Sequence, residues 1–279
     1  MKLISNHLYI VSTPIGNLDD ITLRALDVLK NSDIILCEDT RRSIKLLSYY
    51  KIKKKLISYH KFNEKKKISN IIEYFKKGKI LSLISDAGTP LVSDPGRLLV
   101  NQCVKNGIQI IPIPGASSIT SALSISGFDD KFFFHGFLPK TENQAEKTLN
   151  NLSKQSSTQI FFVPSNKINF YIKKFKKFYA GREIVIAREI TKIHEAFIRA
   201  KIDKLKIFKN PIKGEVTIVI SEKTNKVENF NEEKIVNKLR KYLKTYSLKD
   251  TVSLILETEK IKKKKIYDLC LRIKNEKNT

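Results

Sequence analysis

Through the first 118 residues, apolar runs of four or five residues alternate with segments in which apolar positions recur every three or four. That alternation predicts an α/β domain, strands separated by helices. Strands are expected over 8–12, 34–37, 56–59, 80–84 and 108–112, and helices near 41–50, 64–77 and 95–106. A further helix should run to Lys30 from Asp19 or Asp20 as N-cap, with Ile21, Leu23, Ala25, Leu26 and Leu29 along one side. The strands are apolar without interruption, so both of their faces should be covered, as in a parallel sheet.

After Gly127 the spacing changes, with strand patterns at 131–138, 159–163, 182–188, near 193–200 and at 214–220. Only a short helix at 203–208 separates the late strands, which predicts a mixed, partly antiparallel sheet. A linker is expected near 114–131. From Asn231 onward the signals are helical, and Ser247 with Asp250 three later has capping-box spacing. The expected organisation is therefore two α/β domains flanking a cleft, 1–118 with a mainly parallel sheet and 119–228 with a mixed one, followed by a basic helical segment, 229–279.

The chain has 279 residues, 41% of them hydrophobic, which is ample for cores that need no disulfide or metal staple. Its net charge of +25 points to an acidic partner, RNA or DNA first, because neutralised phosphates release counterions. Only nine of the 53 basic residues are Arg, so part of the excess reflects general Lys enrichment. Three widely spaced cysteines, Cys37, Cys103 and Cys270, fit neither a disulfide framework nor a zinc site and suit a reducing cytoplasm. The four histidines show no metal spacing, and no run of about 18 apolar residues lacks a charge. A soluble protein with neither metal nor membrane partner is expected.

Ligands of open parallel sheets bind beyond the carboxyl ends of the strands. Four loops there are unusual: Thr13-Pro14-Ile15-Gly16-Asn17, Glu38-Asp39-Thr40-Arg41-Arg42, the run from Ser85 to Gly96 that contains Asp86-Ala87-Gly88-Thr89-Pro90, and Pro114-Gly115-Ala116-Ser117-Ser118. Glycine permits close backbone approach and proline presets the loop. There is no G-x-G-x-x-G after a strand and no P-loop, so the usual nucleotide cradles are excluded. Glu38 and Asp39 sit where acids favour a helix N-terminus, yet an acid there can also serve a reacting hydroxyl, and Arg41 and Arg42 can meet RNA phosphates. Glu189, Thr191 and Lys192 follow a strand of the second domain and can line the opposite wall. Tyr171, Phe175, Phe178 and Tyr179, interleaved with lysines, mimic a base-stacking platform, but at helical spacing a core face explains them better.

The strings TPIGNLDDITLRAL, CEDTRRS, SDAGTPLVSDPG, IPGASS, FFHGFLP, AREITKIHEAF and GEVTIVI resemble the tetrapyrrole-methylase-like superfamily of S-adenosylmethionine-dependent methyltransferases. Within it, the first two and SDAGTPLVSDPG are similar to the branch that 2'-O-methylates a cytidine of 16S ribosomal RNA in the small ribosomal subunit. The resemblance implies a homodimer with S-adenosylmethionine folded into an interdomain cleft. It implies cofactor contacts from Pro14, Gly16, Asp86, Ala87, Gly88, Leu91, Ser117 and Ser118, and from Phe162, Val163 and the 214–217 loop with Thr217. Where the family reads close to F-Y-E-S-P-H-R, this chain has Phe161-Phe162-Val163-Pro164-Ser165-Asn166-Lys167, without the acid. A ribose hydroxyl is a weak acid and needs a proton acceptor. Glu38 and Asp39 rank ahead of Lys192 for that task. The rivals are the same fold with a tetrapyrrole or diphthine-precursor acceptor, and a basic ribosome-assembly protein without catalysis.

Overall fold

The computed structural model describes residues 3–223, 232–258 and 263–275. The chain divides into two compact units, Met1–Lys223 and Thr224–Thr279. The first unit holds two five-stranded sheets. In the first sheet β1 (His7–Val11), β2 (Ile34–Cys37), β3 (Lys55–Ser58), β4 (Leu81–Ile84) and β5 (Gln109–Ile113) lie in the order β3-β2-β4-β1-β5, every pairing parallel.

Alternation along these strands sends side chains to two cores. Leu8, Ile10, Leu36 and Leu83 face Ile71, Phe75 and Leu99, which come from α3 (Glu64–Lys76) and α4 (Arg97–Lys105). Tyr9, Val11, Ile35 and Ile84 face Ala25, Val28, Leu29 and Leu47, from α1 (Leu23–Asn31) and α2 (Thr40–Tyr49). Each such aliphatic burial is worth roughly 1.5–3 kcal/mol against exposure, so both faces are committed. The start of α1 differs from the expectation. Asn17 caps a 3-10 turn, Leu18–Asp20, and Thr22 takes over as N-cap by accepting the Ala25 N–H at 3.0 Å. Asp19 and Asp20 thus belong to the preceding turn, and Leu23 stands 86% exposed instead of facing the core.

The second sheet, β6 (Phe132–Phe137), β7 (Thr158–Pro164), β8 (Glu183–Arg188), β9 (Ala196–Lys201) and β10 (Glu215–Ile220), has the order β6-β7-β10-β8-β9. Only β6–β7 is parallel, so the sheet is mixed as expected. The stretch expected to be a linker contains α5 (Ser118–Ser124), whose Ile119 and Ala122 pack with Ile160 and Val219 on one face of this sheet. Apolar spacing at 119 and 122 is too short a signal to read as a helix beforehand. On the other face lie α6 (Glu142–Leu152) and α7 (Ile168–Phe178). Tyr171, Phe175 and Tyr179 are buried there, so the aromatic run is core and its lysines lie outside it. The helix expected at 203–208 is a single 3-10 turn, Ile202–Lys204, tucked in by buried Ile202 and Leu205.

The second unit consists of α8 (Glu232–Tyr242), α9 (Leu248–Thr258) and α10 (Lys263–Asn275) around its own core of Leu239, Ile255, Ile266 and Cys270. Ser247 caps α9 by accepting the Asp250 N–H at 3.2 Å, and its hydroxyl donates to Asp250 Oδ2 at 2.6 Å, so the Asp250 carboxylate binds the cap's side chain where a capping box would bind its backbone N–H. Asn231 and residues 260–262 of the basic run lie outside the described residues. No helix is long and apolar enough to cross a membrane among the described residues.

Candidate active site

Strands β2, β4, β1 and β5 are neighbours, so the four unusual loops emerge side by side at one sheet edge. They are laced together. Thr13 and Gly88 exchange two backbone hydrogen bonds, of 2.9 and 3.0 Å, joining the loops after β1 and β4. Ser12 Oγ and Thr89 Oγ1 lie 3.0 Å apart, and Gly115 lets the loop after β5 approach so closely that a Cβ there would sit 2.8 Å from that of Ser12. Gly88 has φ +75°, and an added Cβ would meet Ile15 Cγ2 at 3.3 Å. Leu91 and Ser93 take φ of 71° and 69°, costly for side-chain-bearing residues and typical of loops held for a task.

The facing wall comes from strand register. Thr217 pairs with Phe162 on one side and Ala187 on the other, so three neighbouring strands present these residues in one row. Phe162 meets the rings of Phe134 at 4.9 Å and Phe137 at 5.3 Å between centroids. Between the two walls lies a cavity of about 360 Å³. Its floor and far side are apolar, with Ile15, Ile119, Phe137, Phe162, Val163 and Ile190; its near side carries Glu38, Asp86, Asp94, Ser117 and Ser118.

Of the residues expected to hold cofactor, Asp86, Ala87, Gly88, Ser117, Ser118, Phe162, Val163 and Thr217 line this cavity, together with Glu38 and Arg42. Pro14, Gly16 and Lys192 line an adjoining cavity of about 390 Å³ that shares Ile15, Arg42, Asp86, Ala87 and Glu215 with the first. Leu91 turns its side chain toward Gly96 and the first core. Asp39 and Arg41 line neither cavity. Val163, where the family pattern has an acid, leaves that stretch of wall apolar.

The charged side chains are strongly engaged. Asp39 caps α2 by accepting the Arg41 N–H at 2.9 Å, and the Arg41 guanidinium grips its carboxylate at 3.1 and 2.7 Å. Those bonds hold Asp39 down at about 2, so it has little tendency to take a proton. Asp86 accepts the Asp39 N–H at 3.1 Å and pairs with Arg42 Nη1 at 3.1 Å. Lys192 Nζ donates to Glu189 Oε1 and Glu215 Oε2, both at 3.0 Å. Burial opposes its charge, but the bonds to Glu215 and Glu189 prevail and raise its pKa, which favours its ammonium form.

Two carboxyls move opposite to Asp39. Burial, then the nearby Asp86 charge, pushes Glu38 up. Burial and the Glu38 charge push Asp94 up to about 6. Asp94 is the residue that motif reading missed: it lies in a quoted loop, but nothing in the spacing shows that the turns at Leu91 and Ser93 aim it into the same cavity as Glu38.

A second interlock joins the halves. The Asn17 N–H donates to Thr191 Oγ1 at 3.0 Å, and a Cβ on Gly16 would fall 2.5 Å from Lys192 Cγ. Opposite, a Cβ on Gly214 would fall 2.3 Å from the Glu189 carboxyl, which accepts the Glu215 N–H at 2.8 Å. Glu189 and Thr191, with φ of 50° and 66°, turn the chain back into this contact, and β9 begins only at Ala196, later than expected. Among the described residues no group of three or more His, Cys, Asp or Glu side chains is arranged to hold a metal ion.

Two α/β halves with a polar-and-apolar cleft between them are the architecture of a methylase class. The chain belongs to the tetrapyrrole methylase family, described as Tetrapyrrole (Corrin/Porphyrin) Methylases, whose model matches residues 7–206. Its sequence relatives point to one kind of member. It is 41% identical over 274 residues to the ribosomal RNA small subunit methyltransferase I of Rickettsia prowazekii, covering 96% of this chain and 97% of that protein. To the protein of that name from Thermotoga maritima it is 44% identical over 220 residues, 77% of this chain and 98% of the other. Solved structures share the fold: a diphthine synthase at TM-score 0.59 and 16% identity, covering 77% of this chain and 89% of that one, and a cobalt precorrin-4 methyltransferase at 0.58 and 18%, covering 77% and 95%.

Proposed function

We propose that this chain transfers a methyl group from S-adenosylmethionine to the ribose 2'-oxygen of a cytidine in small-subunit ribosomal RNA. The observation that carries the reading is the cavity itself, built by the family's loops in a chain about 40% identical to ribosomal RNA methyltransferases over nearly its whole length. The net charge of +25 suits an RNA acceptor better than a tetrapyrrole or a protein side chain.

The residues fit the cofactor. Its adenine takes the apolar slot at Phe162, Val163 and Ile190, the hydroxyls of Ser117, Ser118 and Thr217 supply polar partners, and Asp86, Glu38 and Asp94 set negative charge opposite its cationic end. When bound, that cofactor supplies an activated methyl on a sulfonium. The chain's own work is to hold the acceptor oxygen in line at roughly 3 Å, exclude water and take the hydroxyl proton. Asp94 takes it at a carboxylate oxygen. Its value of about 6 places it unprotonated at neutral pH yet basic enough to act, which Asp39 at about 2 is not. Arg41 and Arg42, largely exposed at the start of α2, meet RNA phosphates. The protein works as a homodimer in the cytoplasm.

The test is a map of ribose methylation in 16S ribosomal RNA from cells with and without the protein. One 2'-O-methylcytidine should disappear on deletion and return when the purified protein and S-adenosylmethionine are added. An unchanged map overturns the reading.

A further inference from the structure

With adenine and its hydroxyl partners assigned to the first cavity, the adjoining one of about 390 Å³, lined by Pro14 and Gly16 and sharing the wall of Arg42, Asp86 and Ala87, is left without an occupant. Its outer side is one stripe of α2. Arg42, Lys45, Leu46 and Tyr49, at i, i+3, i+4 and i+7, all line it. The stripe changes character along its length: cationic beside the shared wall, apolar at Leu46, aromatic at the end. From Arg42 to Tyr49 it spans about 10 Å at 1.5 Å per residue.

Tyr49 is 59% exposed, unusual for a ring that lines a cavity, and it is braced. The ring of Tyr50 stands edge-on to it at 4.9 Å and 85°, and the Tyr50 hydroxyl donates to the Leu18 carbonyl oxygen. Pro14, Gly16 and Leu18 also line the cavity, and Gly16 has no side chain, the place of one being filled by the Lys192 stem. A cavity lined by an exposed aromatic ring and by Arg42 and Lys45 on the same helix stripe suits a planar heterocycle attached to a phosphate chain. RNA bases that leave their stack are received in this way, on aromatic faces with Arg and Lys on the backbone.

We propose that this second cavity receives the acceptor nucleoside, lifted out of the RNA, with its base stacked on Tyr49 and its flanking phosphate held by Lys45. The assignment rests on the RNA methyltransferase reading above and deepens it: Tyr49 becomes a residue that fixes which nucleotide presents its 2'-oxygen past the shared wall, toward Asp94 in the first cavity. The alternative occupant is the amino-acid end of the cofactor, whose carboxylate would also accept from Lys45.

The experiment uses the full chain, S-adenosylmethionine, and small ribosomal subunits from cells lacking the protein. Tyr49→Ala, Tyr49→Phe and Lys45→Gln are compared with the parent for cofactor binding by calorimetry and for subunit affinity and single-turnover methyl transfer. Tyr49→Ala should weaken subunit binding about fivefold or more, the lower end of what one stacked base contributes, and leave cofactor affinity within twofold. Tyr49→Phe, which keeps the ring, should behave like the parent. A short target RNA carrying a fluorescent cytosine analogue at the modified position should change emission on binding the parent and Tyr49→Phe but not Tyr49→Ala. If Tyr49→Ala instead loses cofactor affinity, the cavity belongs to the cofactor; if it changes nothing, the ring is surface; both overturn the proposal. If the parent itself methylates no ribosomal ribose, the enzyme reading fails first, a result distinct from either.

Discussion

The two walls of the cleft are made in opposite ways. On the side of the first sheet the wall is loop: backbone bonds between Thr13 and Gly88, close approach at Gly115, strained turns at Leu91 and Ser93, and carboxylates tied to arginines. On the side of the second sheet the wall is strand, a row of Phe162, Thr217 and Ala187 set by antiparallel register. Here the loop wall is fixed atom by atom through those bonds and close approaches and admits little substitution, whereas the strand wall, apart from the Thr217 hydroxyl, is an apolar face on which a side chain of similar size is tolerated. Chemistry and tight positioning therefore belong to the first side and general shape to the second.

The sharpest break is at Asp94. Asp94→Asn should slow single-turnover methyl transfer by about 100-fold. The parent's rate should fall in acid with a midpoint near 6, because below it the carboxyl already carries a proton and cannot take another, and the variant should lose that limb. Stability should move the other way. The folded state holds this proton more tightly than the unfolded chain does, so the ionised group costs stability as pH rises from about 4 through 6, and Asp94→Asn should be no less stable than the parent at pH 8 by thermal melting. A variant within threefold of the parent rate, with its acid limb intact, would return the proton to Glu38.

Next is Gly88→Val, which puts a branched side chain at φ +75° and against Ile15. Calorimetry should show S-adenosylmethionine binding weakened more than tenfold, about 1.4 kcal/mol, in a protein whose circular dichroism is unchanged. The smallest effect is expected across the cleft. Phe162→Leu keeps an apolar face of similar size and should cost only two- to threefold in cofactor affinity. If it costs as much as Gly88→Val, the distinction between a loop wall and a strand wall collapses.

The same division governs what the sequence discloses. The parallel sheet was legible because each of its strands is a short apolar run closed by a turn signal, and the loop wall was legible because Gly, Pro and acids cluster within a few residues, as in Asp86-Ala87-Gly88. The strand wall was not. Phe162, Thr217 and Ala187 are far apart in the chain, and only their pairing puts them in one row; family resemblance pointed to Phe162 and Thr217 as cofactor contacts, and to Ala187 only as the first residue of AREITKIHEAF. The start of α1 was misplaced because Asn17, Asp19, Asp20 and Thr22 are all competent caps, and the choice of Thr22 depends on how the loop leaves β1. Asp94 was overlooked for a related reason: its direction depends on two left-handed turns at residues that are not glycine.

The interlock of the two halves has a consequence for inheritance. Gly16 and Asn17 are separated from Thr191 and Lys192 by more than half the chain, yet a single added carbon at 16 would occupy the space of the Lys192 stem. Neither loop can drift alone. A chimaera that took residues up to about 118 from one relative and the rest from another would join two loops shaped for different partners, and the effect of a substitution at 192 should depend on what stands at 16. The two loops are thus coupled as one structural unit, although more than half the chain lies between them.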